Sequence, residues 1–281
     1  MTPPALPTAP QSVPQPAPGG TALHPLTARE RVAAQLPPLG NPLTESDGHP
    51  LLFVTVSGAH LYGFPSRDSD VDLRGVHLLP VDDLVGLRAP EETHSRMWVR
   101  DEVEWDLVTH DLRKFVRMLL RRNGYVLEQL LSPLVVGSSP THAELVALSP
   151  KVLTRHHAHH YRGFARTQWR LWEKTGELKP LLYTFRVLLT GVHLMRSHQV
   201  LAHLPTLVEE VPEAPREELL HLVAVKEEAE KGPAVGLDPE RALRQVEALH
   251  QVLDDAERDS TLPQLPSGHE ELHELLVRVR S

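Results

Sequence analysis

The chain has no cysteine and no long apolar run, and each absence excludes a class of protein. Without cysteine, the 281 residues cannot form disulfides, thiolate metal sites or a cysteine nucleophile, so any metal must be held by oxygen or imidazole. No apolar run approaches the length of a membrane-spanning helix, so we expect no membrane partner. The N-terminus also lacks the basic start and apolar core of a secretory signal, which predicts a cytoplasmic protein.

The chain also has no excess of basic over acidic residues. The formal net charge of -8 argues against a nucleic-acid-binding protein that is basic over its whole surface, although a local patch can still bind phosphates. Residues 1–25, rich in proline and alanine, cannot bury enough apolar surface to fold and are predicted to be a disordered tail. We expect an α+β core over residues 26–140 and a helical C-terminal domain over residues 141–281, where the segments are helix-like.

Two strands of the predicted core carry an acidic face. The run "LLFVTVS" reads as a buried strand that ends at a glycine turn, and "DVDLRGVHLL" and "EVEWDLV" then alternate between apolar and charged residues. The alternation places Asp70, Asp72 and Arg74 on one side of the first acidic strand. Asp106 and Glu104 share one side of the second. Carboxylates from two strands can therefore meet on one face of a sheet.

Helix signals surround these strands. Thr27 is predicted to cap a short first helix. After the second acidic strand the apolar period changes from two to about 3.6 at Thr109, which predicts a helix capped by Thr109 and stopped by Asn123 and Gly124.

Like charges at positions i and i+2 of a strand repel each other unless a cation lies between them. Asp70 and Asp72 would be roughly 6.5 to 7 Å apart at their Cα atoms. Two divalent cations about 3.5 to 4 Å apart would turn this repulsion into coordination, and a third carboxylate would complete an oxygen ligand set that suits Mg²⁺ or Mn²⁺. Asp106 is the candidate for that third ligand, and Glu104 is the alternative with the same parity.

Glycines and hydroxyls precede the acidic strand. Gly58 and Gly63 allow a tight turn and a close backbone approach to a phosphate, and Ser66 and Ser69 add hydroxyls nearby. With the carboxylates, these residues predict a site for phosphoryl transfer from a nucleoside triphosphate.

The run "SGAHLYGFPSRDSDVDLRGV" resembles the signature of the DNA polymerase beta nucleotidyltransferase superfamily. More narrowly, the chain resembles bacterial nucleotidyltransferases of an RNA-repair pathway polymerase-beta family. The resemblance implies a polymerase-beta-like nucleotidyltransferase core, with a mixed sheet flanked by helices. It assigns Gly58 to the phosphate loop, Asp70, Asp72 and Asp106 to the metal ligands, and Ser69 to the serine before the first aspartate.

One position departs from the pattern of that superfamily. Ala59 stands where a serine usually contacts phosphate, so this contact must come from the backbone or from another hydroxyl such as Ser57. The resemblance also implies that Lys179, Tyr183 and Arg186, which share a helix face by their spacing, lie close to the nucleotide.

The implied reaction transfers a nucleoside monophosphate from an NTP to a hydroxyl acceptor and releases pyrophosphate. An RNA 3′ end is the first choice of acceptor. A protein hydroxyl is the alternative, as in AMPylating enzymes of toxin–antitoxin pairs, and a protein that binds NTP without turnover is a third. Arg74 is expected either to pair with a carboxylate or to meet the triphosphate.

Three further motifs have competing interpretations. His156 and His160 have the spacing of zinc ligands on a helix, but no third ligand is evident and a structural or surface role is favoured. His110 and Asp111 form the dipeptide of HD-type phosphohydrolases, although Asp111 also suits a helix N-terminus. The basic run over residues 113–122 favours a solvated helix face over an RNA contact.

Overall fold

The computed structural model describes residues 27–39, 45–46, 48–87, 89–228 and 238–281. The tail predicted over residues 1–25 lies outside these ranges.

A mixed sheet forms the first half of the chain. Its strands are β1 (Glu45–Ser46), β2 (His49–Val56), β3 (Val71–His77), β4 (Thr93–Arg100), β5 (Val103–Asp111) and β6 (Val135–Gly137). The strand order is β1-β2-β3-β5-β4, with β6 on β2, and β3 runs parallel to β5 while the other pairs are antiparallel. This mixed sheet confirms the predicted α+β class.

Helices flank the sheet and form the second half of the chain. The helices of the first half are α1 (Ala28–Ala33), α2 (Gly58–Tyr62), α3 (Val81–Val85), α4 (Leu112–Leu120) and α5 (Gly124–Leu130). Those of the second half are α6 (Pro140–Leu148), α7 (His157–Thr175), α8 (Leu178–Ser197), α9 (Leu204–Glu210), α10 (Arg216–Glu228), α11 (Pro239–Asp259) and α12 (His269–Arg278). Across the described ranges, none of these helices is both long and apolar enough to span a bilayer.

The helix α8 lies at the centre of the second half. It contacts α7, α9, α10 and α11, and most of its side chains are buried. One hydrophobic core continues from the sheet into these helices. The division of the chain near residue 140 therefore stays a prediction.

The predicted helix starts were right at one position and wrong at another. Thr27 caps α1, and its side chain and that of Glu30 form a reciprocal capping box. Thr109, however, lies inside β5, where its buried hydroxyl is 2.9 Å from His77 Nδ1. The helix α4 begins three residues later because Asp111 caps it, with Oδ1 accepting a hydrogen bond from the Arg113 amide at 2.8 Å.

The predicted stop of α4 was also wrong. The helix ends at Leu120, and Asn123 caps the next helix, with Oδ1 accepting from the Tyr125 amide at 3.0 Å. An asparagine side chain can satisfy a free amide at a helix start, so the same dipeptide serves as a beginning rather than an end.

Buried histidines predict that acid destabilises the fold. Burial lowers the pKa of His77, His142 and His157 from 6.5 to about 4. The folded chain keeps them neutral while the unfolded chain takes up protons, so the free energy of unfolding should fall between pH 6.5 and about 4. The slope is at most about 1.4 kcal/mol per pH unit for each histidine.

Urea unfolding across this pH range measures the effect. His142→Gln should make the slope shallower, because one proton fewer is taken up on unfolding. A free energy of unfolding that stays constant over the range would contradict the prediction.

Candidate active site

Asp72 and Asp106 lie side by side on the two parallel strands of the sheet. They are register partners on β3 and β5, so both side chains project from the same face. Arg74, two residues further along β3, projects from that face as well. Its Nη2 is 2.7 Å from Asp72 Oδ1 and 3.0 Å from Asp106 Oδ2. Two of the three predicted carboxylates thus meet around one cationic group.

Asp70 lies one residue before β3 and is exposed. The strand that was predicted to begin at Asp70 begins at Val71, so strand geometry does not fix the direction of the Asp70 side chain. Glu104 is exposed on β5, two residues before Asp106. The structure joins Asp106, and not Glu104, to Asp72 through Arg74.

The guanidinium of Arg74 is held on several sides. Its Nε donates to Tyr125 Oη at 2.9 Å, and its Nη1 donates to the backbone oxygens of Leu73 and Asp106 at 2.8 and 3.0 Å. Burial alone would lower the pKa of Arg74. Tyr125 and the two carboxylates raise this pKa by more than burial lowers it, so the net shift is upward. Arg74 therefore stays charged and offsets the repulsion between Asp72 and Asp106. The structure pairs it with the carboxylates, the first of its two expected roles.

The glycine turn lies directly against Asp72. Gly58 has a φ of +64°, and a Cβ at this position would lie 1.9 Å from Asp72 Oδ2. The Ser57 amide donates to the backbone oxygen of Asp72 at 2.8 Å. The Ser57 hydroxyl is buried and has no hydrogen-bond partner among the described residues. Glycine is required here because the carboxylate occupies the space of a side chain.

If the chain performs the nucleotide transfer expected from its sequence, this contact predicts that Gly58→Ala reduces that activity by roughly 100-fold, the typical effect of misplacing a reacting group by about 1 Å. The methyl group would push Asp72 out of place. Steady-state transfer from a labelled NTP measures the loss.

Gly176→Ala is the matched control. Gly176 has a φ of +68°, but a Cβ there would meet nothing within 4 Å. It carries the same backbone strain without the contact, so its activity should stay near wild type. Equal losses in both variants would contradict the assigned role of Gly58.

A cavity of about 450 Å³ opens beside these residues. Its polar end contains Ser57, Gly58, Asp72 and Arg74. Its other lining residues are Tyr62, Asn123, Tyr125, His160, Phe164 and Tyr183. The volume lies in the range of about 300 to 1,000 Å³ that is usual for small-molecule sites.

The far end of the cavity is aromatic. Tyr183 packs edge-on against Tyr62 and Phe164, with ring centroids 5.3 and 6.5 Å apart. Burial and the nearby Arg186 lower the pKa of His160, which keeps its imidazole neutral near pH 7. A ligand in this cavity would meet charges at one end and rings at the other.

Three of the predicted phosphate-site residues lie elsewhere. Ala59 is buried in α2. Gly63 ends α2 with a φ of +80°, and a Cβ there would lie 2.4 Å from His203, so this glycine allows close packing against α9. Ser69 closes the turn before β3, with Oγ accepting from the Ser66 amide at 2.9 Å. None of the three lines the cavity.

The three residues of α8 that were predicted to lie close to the nucleotide have different surroundings in the structure. Tyr183 lines the cavity, whereas Lys179 is half-buried in the first turn of the helix and does not. Arg186 is completely buried, 3.1 Å from Glu128 Oε1, and lies below the ring of Tyr62 at 3.7 Å from its centroid. Arg186 does not line the cavity itself, because this ion pair holds the guanidinium in the core behind the Tyr62 ring.

The structure assigns local roles to the competing motifs. Asp111 is fully buried, and besides capping α4 its Oδ2 accepts from Arg280 Nη2 at 2.7 Å. It is therefore not presented to a metal as in a phosphohydrolase. In the basic run, Arg113 and Arg117 pair with Glu92 at 3.2 and 2.6 Å.

The chain is similar to one protein family and to two known proteins. The sequence model described as "RNA repair pathway DNA polymerase beta family" matches residues 29–278. An uncharacterized protein of Methanocaldococcus jannaschii is 33% identical over 152 residues, which are 52% of this chain. The match spans 60% of the length of that relative. A crystal structure of a nucleotidyltransferase-like protein from Exiguobacterium sibiricum aligns with a TM-score of 0.26 and 11% identity, over 82% of this chain and 73% of that one.

The family match covers most of the chain and places it among the polymerase-beta-like proteins. Within that class it belongs to the RNA repair pathway DNA polymerase beta family. This membership confirms the family resemblance that was inferred from the sequence of the glycine turn and the acidic strand.

Proposed function

We propose that the protein transfers a nucleoside monophosphate from an NTP to the 3′ hydroxyl of an RNA and releases pyrophosphate. The observation that carries the proposal is the pairing of Asp72, which lines the cavity and lies directly against Gly58, with Asp106 on the neighbouring strand. Family membership supports the same reaction class.

The donor atoms suit a hard divalent cation. Asp72 and Asp106 offer carboxylate oxygens, and their side chains are 30% and 27% exposed, so a hydrated ion can reach them. With Asp70, these residues would hold Mg²⁺ or Mn²⁺. When bound, such cations neutralise the triphosphate and lower the pKa of the attacking hydroxyl.

The chain's own residues divide the remaining tasks. Asp106 is proposed to help deprotonate the acceptor hydroxyl. The Ser57 hydroxyl and the Gly58 amide would donate to phosphate oxygens, because the methyl side chain of Ala59 cannot. Tyr62 and Tyr183 form an apolar surface suited to the nucleobase. The roles of Gly63, Ser69, Lys179 and Arg186 in nucleotide binding rest on the resemblance alone.

An exposed basic pair favours RNA as the acceptor. Arg121 and Arg122 are exposed at the end of α4 and immediately precede Asn123, which lines the cavity. Guanidinium groups at the rim of the site would attract the phosphates of a nucleic acid, although the net charge of the chain is negative.

Labelled NTPs test the proposal directly. The full chain is incubated with each α-labelled NTP, Mg²⁺ and either RNA ending in a 3′ hydroxyl or the same RNA blocked by a 3′ phosphate. Label should appear only on the unblocked RNA. In a parallel reaction with lysate proteins in place of RNA, label on a protein would instead indicate a protein acceptor. Bound but unreacted nucleotide in every reaction would contradict the proposed enzyme.

A further inference from the structure

We propose that the protein has a second metal site, for a transition-metal ion such as Zn²⁺, that joins the start of α7 to α11. Its ligands are His156, His159 and Glu257. One ligand atom from each of these residues lies within 4.8 Å of the other two.

The three side chains converge on one carboxylate oxygen. His156 Nδ1 is 3.7 Å and His159 Nε2 is 3.0 Å from Glu257 Oε1. Positions three apart share a helix face, so both histidines point toward α11. In a tetrahedral site with bonds of about 2.0 to 2.1 Å, ligand atoms are roughly 3.3 Å apart. Small rotations of the side chains would therefore close the site around an ion.

The surroundings orient the carboxylate for this role. Glu257 Oε2 accepts a hydrogen bond from Arg162 Nη2 at 2.8 Å, which leaves Oε1 directed at the histidines. Hydrogen bonds of this kind commonly fix metal-binding carboxylates. His156 Nδ1 is buried and makes no hydrogen bond within the described parts of the chain. An ion would satisfy this nitrogen.

The donor set distinguishes this site from the candidate active site. Two imidazoles and one carboxylate suit Zn²⁺, Co²⁺ or Ni²⁺, whereas the carboxylates at Asp72 and Asp106 suit Mg²⁺. Three protein ligands leave one coordination position for water.

The helical spacing in the sequence suggests a different pair, His156 with His160. In the structure His160 lines the candidate active-site cavity, and the ligand missing from that interpretation comes from α11.

Titration with Co²⁺ tests the proposal, because the visible absorption of bound Co²⁺ reports tetrahedral coordination without any activity assay. The full wild-type chain should show tetrahedral bands that account for one bound ion per chain. His159→Ala and Glu257→Gln should each weaken this binding more than about 100-fold, since even partners of metal ligands typically contribute 10- to 100-fold. The His159 side chain is 58% exposed, so its variant should fold.

Three controls separate the site from other binding. His221→Ala and His273→Ala, at exposed positions, should keep the bands, as should Asp72→Ala in the candidate active site. Retention of the bands and the affinity in both His159→Ala and Glu257→Gln would overturn the proposal. Equal weakening in the control histidine variants would also overturn it, because it would indicate scattered binding.

Discussion

Asp72→Ala is expected to reduce nucleotide transfer more than about 100-fold while the protein stays folded, because the variant removes a proposed metal ligand. The side chain is partly exposed, and its removal leaves Arg74 paired with Asp106. Initial rates with a labelled NTP measure the activity, and circular dichroism checks the fold. Asp106→Ala and Asp70→Ala are expected to have the same effect.

Glu104→Ala is the matched control for Asp106→Ala. Both residues lie on β5, two positions apart, and both are acidic. Glu104 does not share the contact with Arg74, so its variant should keep near wild-type rates. Wild-type activity in Asp72→Ala or Asp106→Ala would contradict the metal assignment, and loss of activity in Glu104→Ala alone would move the third ligand to Glu104.

Glu128→Gln is expected to destabilise the fold by about 3 to 5 kcal/mol, since it leaves the buried charge of Arg186 without a partner. Both side chains are almost fully buried, at 2% and 0% exposed. Burial raises the pKa of Glu128, and the Arg186 guanidinium opposes this shift. Urea unfolding measures the loss.

Glu213→Gln provides the comparison at an exposed ion pair. Glu213 pairs with Arg196 at 2.8 Å, but the two side chains are 40% and 43% exposed, so its loss should cost at most about 1 kcal/mol. Equal destabilisation in the two variants would contradict the role assigned to the buried pair.

Replacing both partners separates packing from nucleotide binding. Glu128→Leu combined with Arg186→Met should restore most of the stability, because apolar residues often replace a buried ion pair without loss. If this variant is stable and active, Arg186 acts in the core. If it is stable and has lost NTP binding, Arg186 belongs to the nucleotide site, as the resemblance implied.

Strand periodicity was enough to predict the acidic face. A side chain that alternates with buried neighbours has only one face available, so Asp72 and Arg74 had to project together from β3, and Asp106 from β5. What periodicity could not predict was the group between them. Two roles were open to Arg74, and only the parallel register of β3 and β5 places its guanidinium within reach of both carboxylates.

The remaining cavity wall could not be predicted from local patterns. Tyr125 and Phe164 reach the cavity from α5 and α7, which the tertiary fold brings to the sheet. No spacing rule links such distant residues. The predicted start of α4 was wrong for a related reason. The hydroxyl of Thr109 has a buried partner on β3, His77, which keeps Thr109 in the strand. The edge strand β4 was missed, because none of its side chains is buried and they lack the alternation of a half-buried strand.

A crystal structure with Mn²⁺ and a non-hydrolysable NTP tests the central claim most directly. The anomalous signal of manganese locates the ion without reference to activity. We predict a peak within coordination distance of both Asp72 and Asp106, with Arg74 Nη2 displaced from at least one of them. A peak elsewhere, with the Arg74 contacts to both carboxylates unchanged, would contradict the account.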